Sequence, residues 1–316
     1  MPRPQGDACA SRSASIKPPR SSVLLAFFTL YIVWGSTYLG IRIAVETLPP
    51  FLLAGARFAV AGGVMLLWAR WRGATMPSRR EWLGAAGVGV CLVALSNALI
   101  VWVEQRIASG VVALFAAGSP LLIAMFTRHR TGIPLGTRRI VGLALGTLGL
   151  LLLGSATFKM VPDVPRLVML GTAMVAWAVG ATYGRDWPHA SNLLVSSSAQ
   201  MFAGGLIALL VGVGLGELSS FDTHAVTTRS LLAWGYLTIF GSMLAYTVFQ
   251  WLMSHVDPTA VASYTYINPI VALGLGGLFA GEEIGSRVMA ATALLVPAVV
   301  LVVTGGAVQR EPAEPN

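Results

Sequence analysis

Runs of about 20 apolar residues recur along nearly the whole chain, and they constrain its fold more than any other feature. A helix of that length crosses the roughly 30 Å hydrocarbon layer of a bilayer. Charged residues make up only 11% of the chain, against about 25% in soluble domains. We therefore predict an all-α polytopic membrane protein with about ten transmembrane helices. The predicted spans are residues 22–44, 50–70, 82–103, 107–127, 139–156, 165–184, 191–214, 230–252, 258–280 and 286–306.

Lysine and arginine are distributed unevenly between the connecting segments. If the first terminus is cytoplasmic, 14 of the 21 basic residues fall on the cytoplasmic side and 6 on the outer side, with Arg57 inside a span. Cytoplasmic loops carry such an excess. We therefore predict cytoplasmic tails at 1–21 and 307–316 and a location in the plasma or inner membrane. The same bias accounts for the net charge of +8 without a nucleic-acid partner.

The chain contains an internal repeat. Trp102 and Trp251 are 149 residues apart, as are Pro120 and Pro269, and this offset aligns the third and fourth spans with the eighth and ninth. We predict two five-helix repeats, 22–156 and 165–306, joined by an external linker at 157–164. Because five is odd, the second repeat must enter the membrane inverted. Inverted repeats are typical of secondary transporters, whose substrate site lies near the membrane midplane between the repeats.

Three segments resemble a known family. They are "WGSTYLGIRIAVETLPPFLLAGARF" (34–58), "ALFAAGSPLLIAMF" (113–126) and "ASYTYINPIVALGLGGLFAGEEI" (262–284). In these segments the chain resembles EamA-like transporters of the drug/metabolite transporter superfamily, although "GSRVMAATALL" (285–295) departs from a glycine pattern often seen in the family. The resemblance implies a ten-helix bundle that moves small metabolites or drugs, often outward, by secondary transport.

Two prolines are candidates for helix breaks. Pro120 and Pro269 fall near the middle of the fourth and ninth spans. Proline removes a helical hydrogen bond, and paired interruptions of this kind indicate a transporter's binding site. Asn268 beside Pro269 favours a cavity there. A static kink that improves packing explains the two prolines about equally well.

Aromatic residues deep in the spans predict a binding pocket. Tryptophan normally lies at headgroup level, yet Trp34 and Trp177 fall near the midpoints of the first and sixth spans. An apolar pocket with few polar groups suits a small ligand. Ordinary core packing explains each residue taken singly, and hydrogen bonds between helices explain the amides Asn97, Gln200 and Gln250. The candidate substrate-binding aromatic residues are Trp34, Tyr38, Trp177, Tyr183, Tyr246, Tyr264 and Tyr266.

Arg57 lies inside the second span, seven residues after Pro50. A charge at the centre of a spanning helix costs about 2.5–3.5 kcal/mol on insertion scales. The arginine could snorkel to the interface, pair with a carboxylate such as Glu46 or Glu104, or bind an anionic or zwitterionic substrate through its paired N–H donors. These three alternatives stay open at this point.

Acidic residues are expected only at helix ends, at Glu46, Glu104, Glu282 and Glu283. Proton coupling through a deep carboxylate is therefore not predicted, and a shallow acid such as Glu46 or Glu282 is the candidate if a proton or another ion drives transport. The four histidines lack metal-ligand spacing, so neither a metal site nor a cofactor is predicted.

The predicted function is secondary transport. We expect alternating access that exports small organic metabolites, amino-acid-like or otherwise amphiphilic, or drugs. The alternatives are a membrane-embedded enzyme and the membrane subunit of an ATP-driven transporter. The first lacks motifs such as H-E-x-x-H, and the internal duplication argues against the second. No oligomeric state is predicted.

Overall fold

The computed structural model describes residues 18–107, 109–154, 163–280 and 286–305. Within these ranges every regular element is helical, which confirms the all-α prediction. Outside the described residues lie positions 157–162 of the predicted linker (157–164), positions 1–17 and 307–316 of the predicted tails, and Glu282 and Glu283.

The described helices follow the predicted spans in order. They are α1 (Arg20–Ala44), α2 (Pro50–Trp71), α3 (Arg79–Glu104), α4 (Ser109–Ala116), α5 (Ser119–Thr131), α6 (Thr137–Gly154), α7 (Val164–Tyr183), α8 (Leu193–Gly214), α9 (Thr228–His255), α10 (Pro258–Ala262), α11 (Tyr264–Ala280) and α12 (Ser286–Thr304). Short helical turns cover Gly184–Asp186, Glu217–Ser220 and Thr223–Ala225.

Six of the described helices are long and apolar enough to cross a membrane: α1, α2, α3, α7, α8 and α9. The fourth predicted span is divided between α4 and α5, and the ninth between α10 and α11. The multi-pass membrane fold is thus confirmed, while the count of ten spans stays a prediction.

Large apolar side chains cover the outward faces of these helices. Leu67, Leu83, Leu210 and Leu232 are all more than two-thirds exposed. Extended apolar surface of this kind is rare on soluble monomers, but it matches the acyl chains of a bilayer. The outer surface therefore fits lipid.

Helices at equivalent positions of the two predicted repeats pack against each other. The most extensive contacts join α2 to α8 and α6 to α12, which are the second with the seventh span and the fifth with the tenth. The other contacts between the halves are reciprocal. Helix α1, the first span, packs on α9 and α11 of the eighth and ninth spans. Helix α7, the sixth span, packs on α3 and α5 of the third and fourth spans. Each half therefore contributes matching surfaces to the interface, as a two-fold relation between repeats requires.

Glycines allow the closest of these contacts. A Cβ atom built on Gly55 of α2 would lie 2.6 Å from the backbone nitrogen of Leu209, and one built on Gly205 of α8 would overlap the backbone nitrogen of Ala59. In lipid, helices associate mainly by van der Waals packing, which small residues make closer. The backbones of α2 and α8 therefore touch where no side chain fits.

We predict that Gly205→Val lowers the thermal stability of the purified protein, because the valine must force α8 away from Ala59. Overpacking of this kind costs about 1–3 kcal/mol. Gly171→Val is the matched control, since a Cβ on Gly171 meets nothing within 4 Å. Thermal unfolding in detergent measures both variants, and an equal loss of stability would refute the close-packing account.

Candidate functional site

A central cavity lies between the helices of the two predicted repeats. Its volume is about 70 Å³, whereas pockets that hold a small-molecule ligand measure about 300–1,000 Å³. The cavity is therefore smaller than a typical ligand pocket. Of the predicted site residues, the cavity is lined by Trp34, Tyr38, Arg57, Trp177, Tyr246, Tyr264 and Asn268.

Two predicted site residues lie elsewhere. Tyr183 is half-buried and packs against the Phe126 ring, with the ring centroids 5.9 Å apart. Tyr266 is fully buried among α6 and α12, where its ring packs on Gly146. Both residues contribute to the core beside the cavity and not to the cavity wall.

Trp34 forms the centre of an aromatic cluster. Its ring centroid lies 4.8 Å from that of Tyr264, 5.1 Å from Phe249 and 5.5 Å from Trp177. The Trp34 indole donates a hydrogen bond of 3.0 Å to the carbonyl of Gly241, so its orientation is fixed. The Trp177 indole also lines the cavity, beside Tyr264, whose hydroxyl is within reach of its N–H.

The carbonyl of Gly241 is accessible because α9 contains a π-helical segment, Leu237–Leu244. The equivalent helix α3 contains another at Val90–Asn97, also of eight residues. π-Helical turns are rare and frequently occur at functional sites. Each half therefore contributes one π-helical segment beside the cavity. Ser96, Asn97 and Gly241 of these segments line the cavity.

Arg57 is held inside the cavity wall. Only 3% of the residue is exposed, so its guanidinium does not snorkel to the membrane surface. Its Nη2 donates to Asn97 Oδ1 at 3.3 Å, and Asn97 Nδ2 donates in turn to the Leu92 carbonyl at 2.9 Å within the π-helical segment. The Nε and Nη1 atoms of Arg57 have no partner among the described residues, so the guanidinium keeps unused donors.

Glu104 lies at a helix end, as predicted, but it is not accessible there. It ends α3, yet it is fully buried, and neither carboxylate oxygen has a hydrogen-bond partner among the described residues. Glu104 is close enough to Arg57 to interact with it electrostatically. Glu46 is exposed instead and lies 3.9 Å from Arg229. Glu104 is buried because neighbouring helices cover that end of α3.

Both prolines lie within the predicted fourth and ninth spans, but they differ in their position relative to the interruption of each span. Pro120 lies in the first turn of α5, directly after the interruption that separates α4 from α5. Pro269 lies inside α11, six residues after the interruption at Ser263. The two spans are both interrupted, but the prolines are not at matching breaks. Their neighbours Ser119 and Asn268 do line the cavity, and Asn268 Oδ1 has no partner among the described residues.

A second cavity, of about 430 Å³, adjoins the first and is lined by Arg185, His189, Gln200, Gln250 and His255 among others. Tyr246, which lines the central cavity, donates a hydrogen bond of 3.1 Å to Gln200 Oε1. Gln250 donates to both of these side chains. The three hydrogen-bonded side chains therefore separate the two cavities.

The predicted site residues do not include Ser96, Asn97 or Gly241. The available signal was a polar pair, Ser96-Asn97, inside an apolar span. Hydrogen bonding between helices accounts for such an amide equally well, and no sequence pattern marks a π-helical segment. Only the fold shows that both π-helical segments lie beside one cavity.

The architecture defines a helical membrane protein built around a cavity between two internal repeats. The sequence profile of the EamA-like transporter family matches residues 21–155 and 166–304. The chain therefore belongs to the EamA-like transporter family, and it is a membrane transporter of the secondary type.

Named relatives are similar over nearly the whole chain. The uncharacterised inner membrane transporter YedA of Escherichia coli K12 is 35% identical over 89% of this chain and 90% of its own length. Protein PecM of Dickeya dadantii is 28% identical, covering 85% of this chain and 88% of PecM. A crystal structure of another protein, 21% identical, matches 90% of this chain and 96% of its own with a TM-score of 0.71. That likeness shows the fold alone.

We predict that Asn97→Ala lowers the thermal stability of the purified protein, because it removes the acceptor of Arg57 Nη2 and leaves this buried donor unsatisfied. A buried polar group left unsatisfied costs about 1–3 kcal/mol. Ser96→Ala is the matched control, since the Ser96 hydroxyl has no partner to lose among the described residues. If the two variants unfold at the same temperature, Asn97 does not hold Arg57.

Proposed function

We propose that this transporter exports small organic anions or zwitterions that carry an apolar body, by alternating access between inverted repeats at 22–156 and 165–306. The observation that carries the proposal is Arg57, a buried guanidinium with unused donors in the wall of the central cavity. The termini are cytoplasmic in this proposal, which follows the distribution of lysine and arginine.

The charge of the cavity favours an anionic group. Among the described residues that line the cavity, Arg57 is the one lysine, arginine, aspartate or glutamate. A guanidinium presents paired N–H donors in a plane that matches a carboxylate. A cationic drug would instead meet a positive charge and no acidic side chain among the described residues that line the cavity. The proposed ligands therefore include organic acids and amino-acid-like compounds.

The rest of the cavity favours an apolar body. Trp34, Trp177 and Tyr264 form one continuous aromatic wall, and Phe58 adds another ring beside Arg57. Aromatic faces bury apolar surface in defined orientations.

Contacts between the two halves at both ends of the molecule support alternating access. At the end proposed to be cytoplasmic, Arg130 pairs with Asp186, and Arg139 pairs with Asp257 at 3.0 Å. At the other end the Glu217 carboxylate accepts hydrogen bonds from the backbone N–H groups of Phe51 and Leu52, at 3.2 and 2.9 Å. Each contact joins the first half to the second. Opening one end at a time would therefore break one set of contacts and keep the other.

We predict that Arg57→Lys inserts and folds normally but transports carboxylates at least about tenfold more slowly. Lysine keeps the charge and loses the planar fork. A hydrogen bond to a charged group contributes about 1.5–3 kcal/mol, and 1.4 kcal/mol corresponds to a factor of ten. Counterflow of radiolabelled benzoate and phenylalanine in proteoliposomes measures the rate, with neutral benzamide for comparison.

Arg79→Lys is the control, because Arg79 is exposed at the start of α3, far along the chain from the cavity-lining residues. It should transport like the wild type. Wild-type rates in Arg57→Lys would mean that the forked contact does not form. Faster transport of benzamide than of benzoate would contradict the anionic substrate class.

A further inference from the structure

Glu104 is a buried acid that the proposed binding of substrate does not use. Its carboxylate is fully buried, and neither oxygen accepts a hydrogen bond from the described residues. The nearby Arg42 guanidinium donates to the backbone carbonyl of Glu104, at 3.2 Å, and not to its carboxylate. A buried charge without hydrogen bonds is unfavourable unless neighbouring charges compensate it.

Glu104 lies between the central cavity and an outer recess. Tyr38 and Arg57, which line the cavity, both interact electrostatically with its carboxylate. On its other side, the next residues Gln105 and Arg106 are exposed and line a recess of about 460 Å³ together with Arg42. Glu104 itself lines neither cavity.

The charges around Glu104 come from three described elements packed against the end of α3. Helix α1 contributes Tyr38 and Arg42, and α2 contributes Arg57. Helix α7 contributes Arg166, whose guanidinium pairs with Asp163 and lies 4.7 Å from the Trp102 ring centroid. Ser109–Ala116 of α4 contains no titratable residue. Arg57 and Arg42 are thus the cations that compensate a Glu104 carboxylate.

An anion at Arg57 would change this balance. It would neutralise the guanidinium and place a second negative charge near Glu104. A like charge nearby disfavours the ionised form of a carboxyl group. Glu104 would then take a proton from water to form the neutral carboxylic acid and would return it when the anion leaves.

We infer that Glu104 is a proton-binding site linked to Arg57, which takes up a proton when Arg57 binds an anion. The inference rests on the proposed function for the identity of the ligand at Arg57. The buried, titrating carboxyl group itself is a claim that needs no substrate. The two claims are therefore tested separately.

The first test detects the proton on Glu104 without any ligand. Infrared difference spectra of the purified full-length protein, recorded between mildly alkaline and mildly acidic solution, should show the C=O band of a carboxylic acid in an apolar environment. Glu104→Gln should lose this band, and the exposed control Glu46→Gln should keep it. A band that persists unchanged in Glu104→Gln would overturn the assignment.

The second test measures the linkage with benzoate as the probe. In weakly buffered solution the wild type should take up about one proton for each benzoate bound, and by reciprocity its benzoate affinity should rise as the pH falls, by about 5- to 150-fold as is typical of coupled sites. Glu104→Gln should take up none and should lose the pH dependence. Benzoate binding to the wild type without proton uptake would overturn the linkage while leaving the proposed substrate class intact.

If the wild type shows the Glu104 band but binds no benzoate, the proton site stands and the proposed substrate class fails. If Glu104→Gln does not fold, Glu104→Asp replaces it. The aspartate keeps a carboxyl group in a shifted position, so the buried C=O band should move in frequency. A band that does not move would refute the assignment to Glu104.

Discussion

The hydrogen bond from Arg57 to Asn97 is the interaction on which the rest of the site depends. A bilayer offers no hydrogen-bond partners to a buried guanidinium, so the protein must supply them. Asn97 can accept from Arg57 because its own amide nitrogen is held by the Leu92 carbonyl. That contact lies within the π-helical segment of α3. An irregular helix, an amide and a buried charge therefore form one connected unit in the wall of the cavity.

The two halves of the molecule contribute to the cavity in related ways. Each supplies a helix with a π-helical segment and an interrupted span beside the cavity. The chemistry at the two positions differs, since α3 holds the charged Arg57 through Asn97 while α9 holds the Trp34 indole through Gly241. The duplication thus supplies the framework, and divergence between the copies gives the cavity a polar and an aromatic side. Both sides are needed for an amphiphilic ligand.

Much of this organisation could be predicted from local sequence. Apolar runs identify the spans, a constant offset identifies the repeat, and tryptophans at the depth of Trp34 and Trp177 mark the aromatic wall. These signals can be found in the sequence without knowing which helices pack together. The burial of Glu104 and the positions of Tyr183 and Tyr266 depend on which helices pack together, and one sequence does not contain that information. Pro120 shows the same limit, because the helix interruption precedes it and the proline begins the next helix.

Accessibility of the central cavity from the two sides of the membrane tests the account most directly. Thr37 lines the cavity and is buried, so a single cysteine at this position, with Cys9 and Cys91 replaced by alanine, reports on access. Alternating access predicts slow labelling by an impermeant maleimide in both right-side-out and inside-out vesicles, with protection by benzoate on each side. Labelling from one side only, or from neither, would contradict a substrate site that opens to each side in turn.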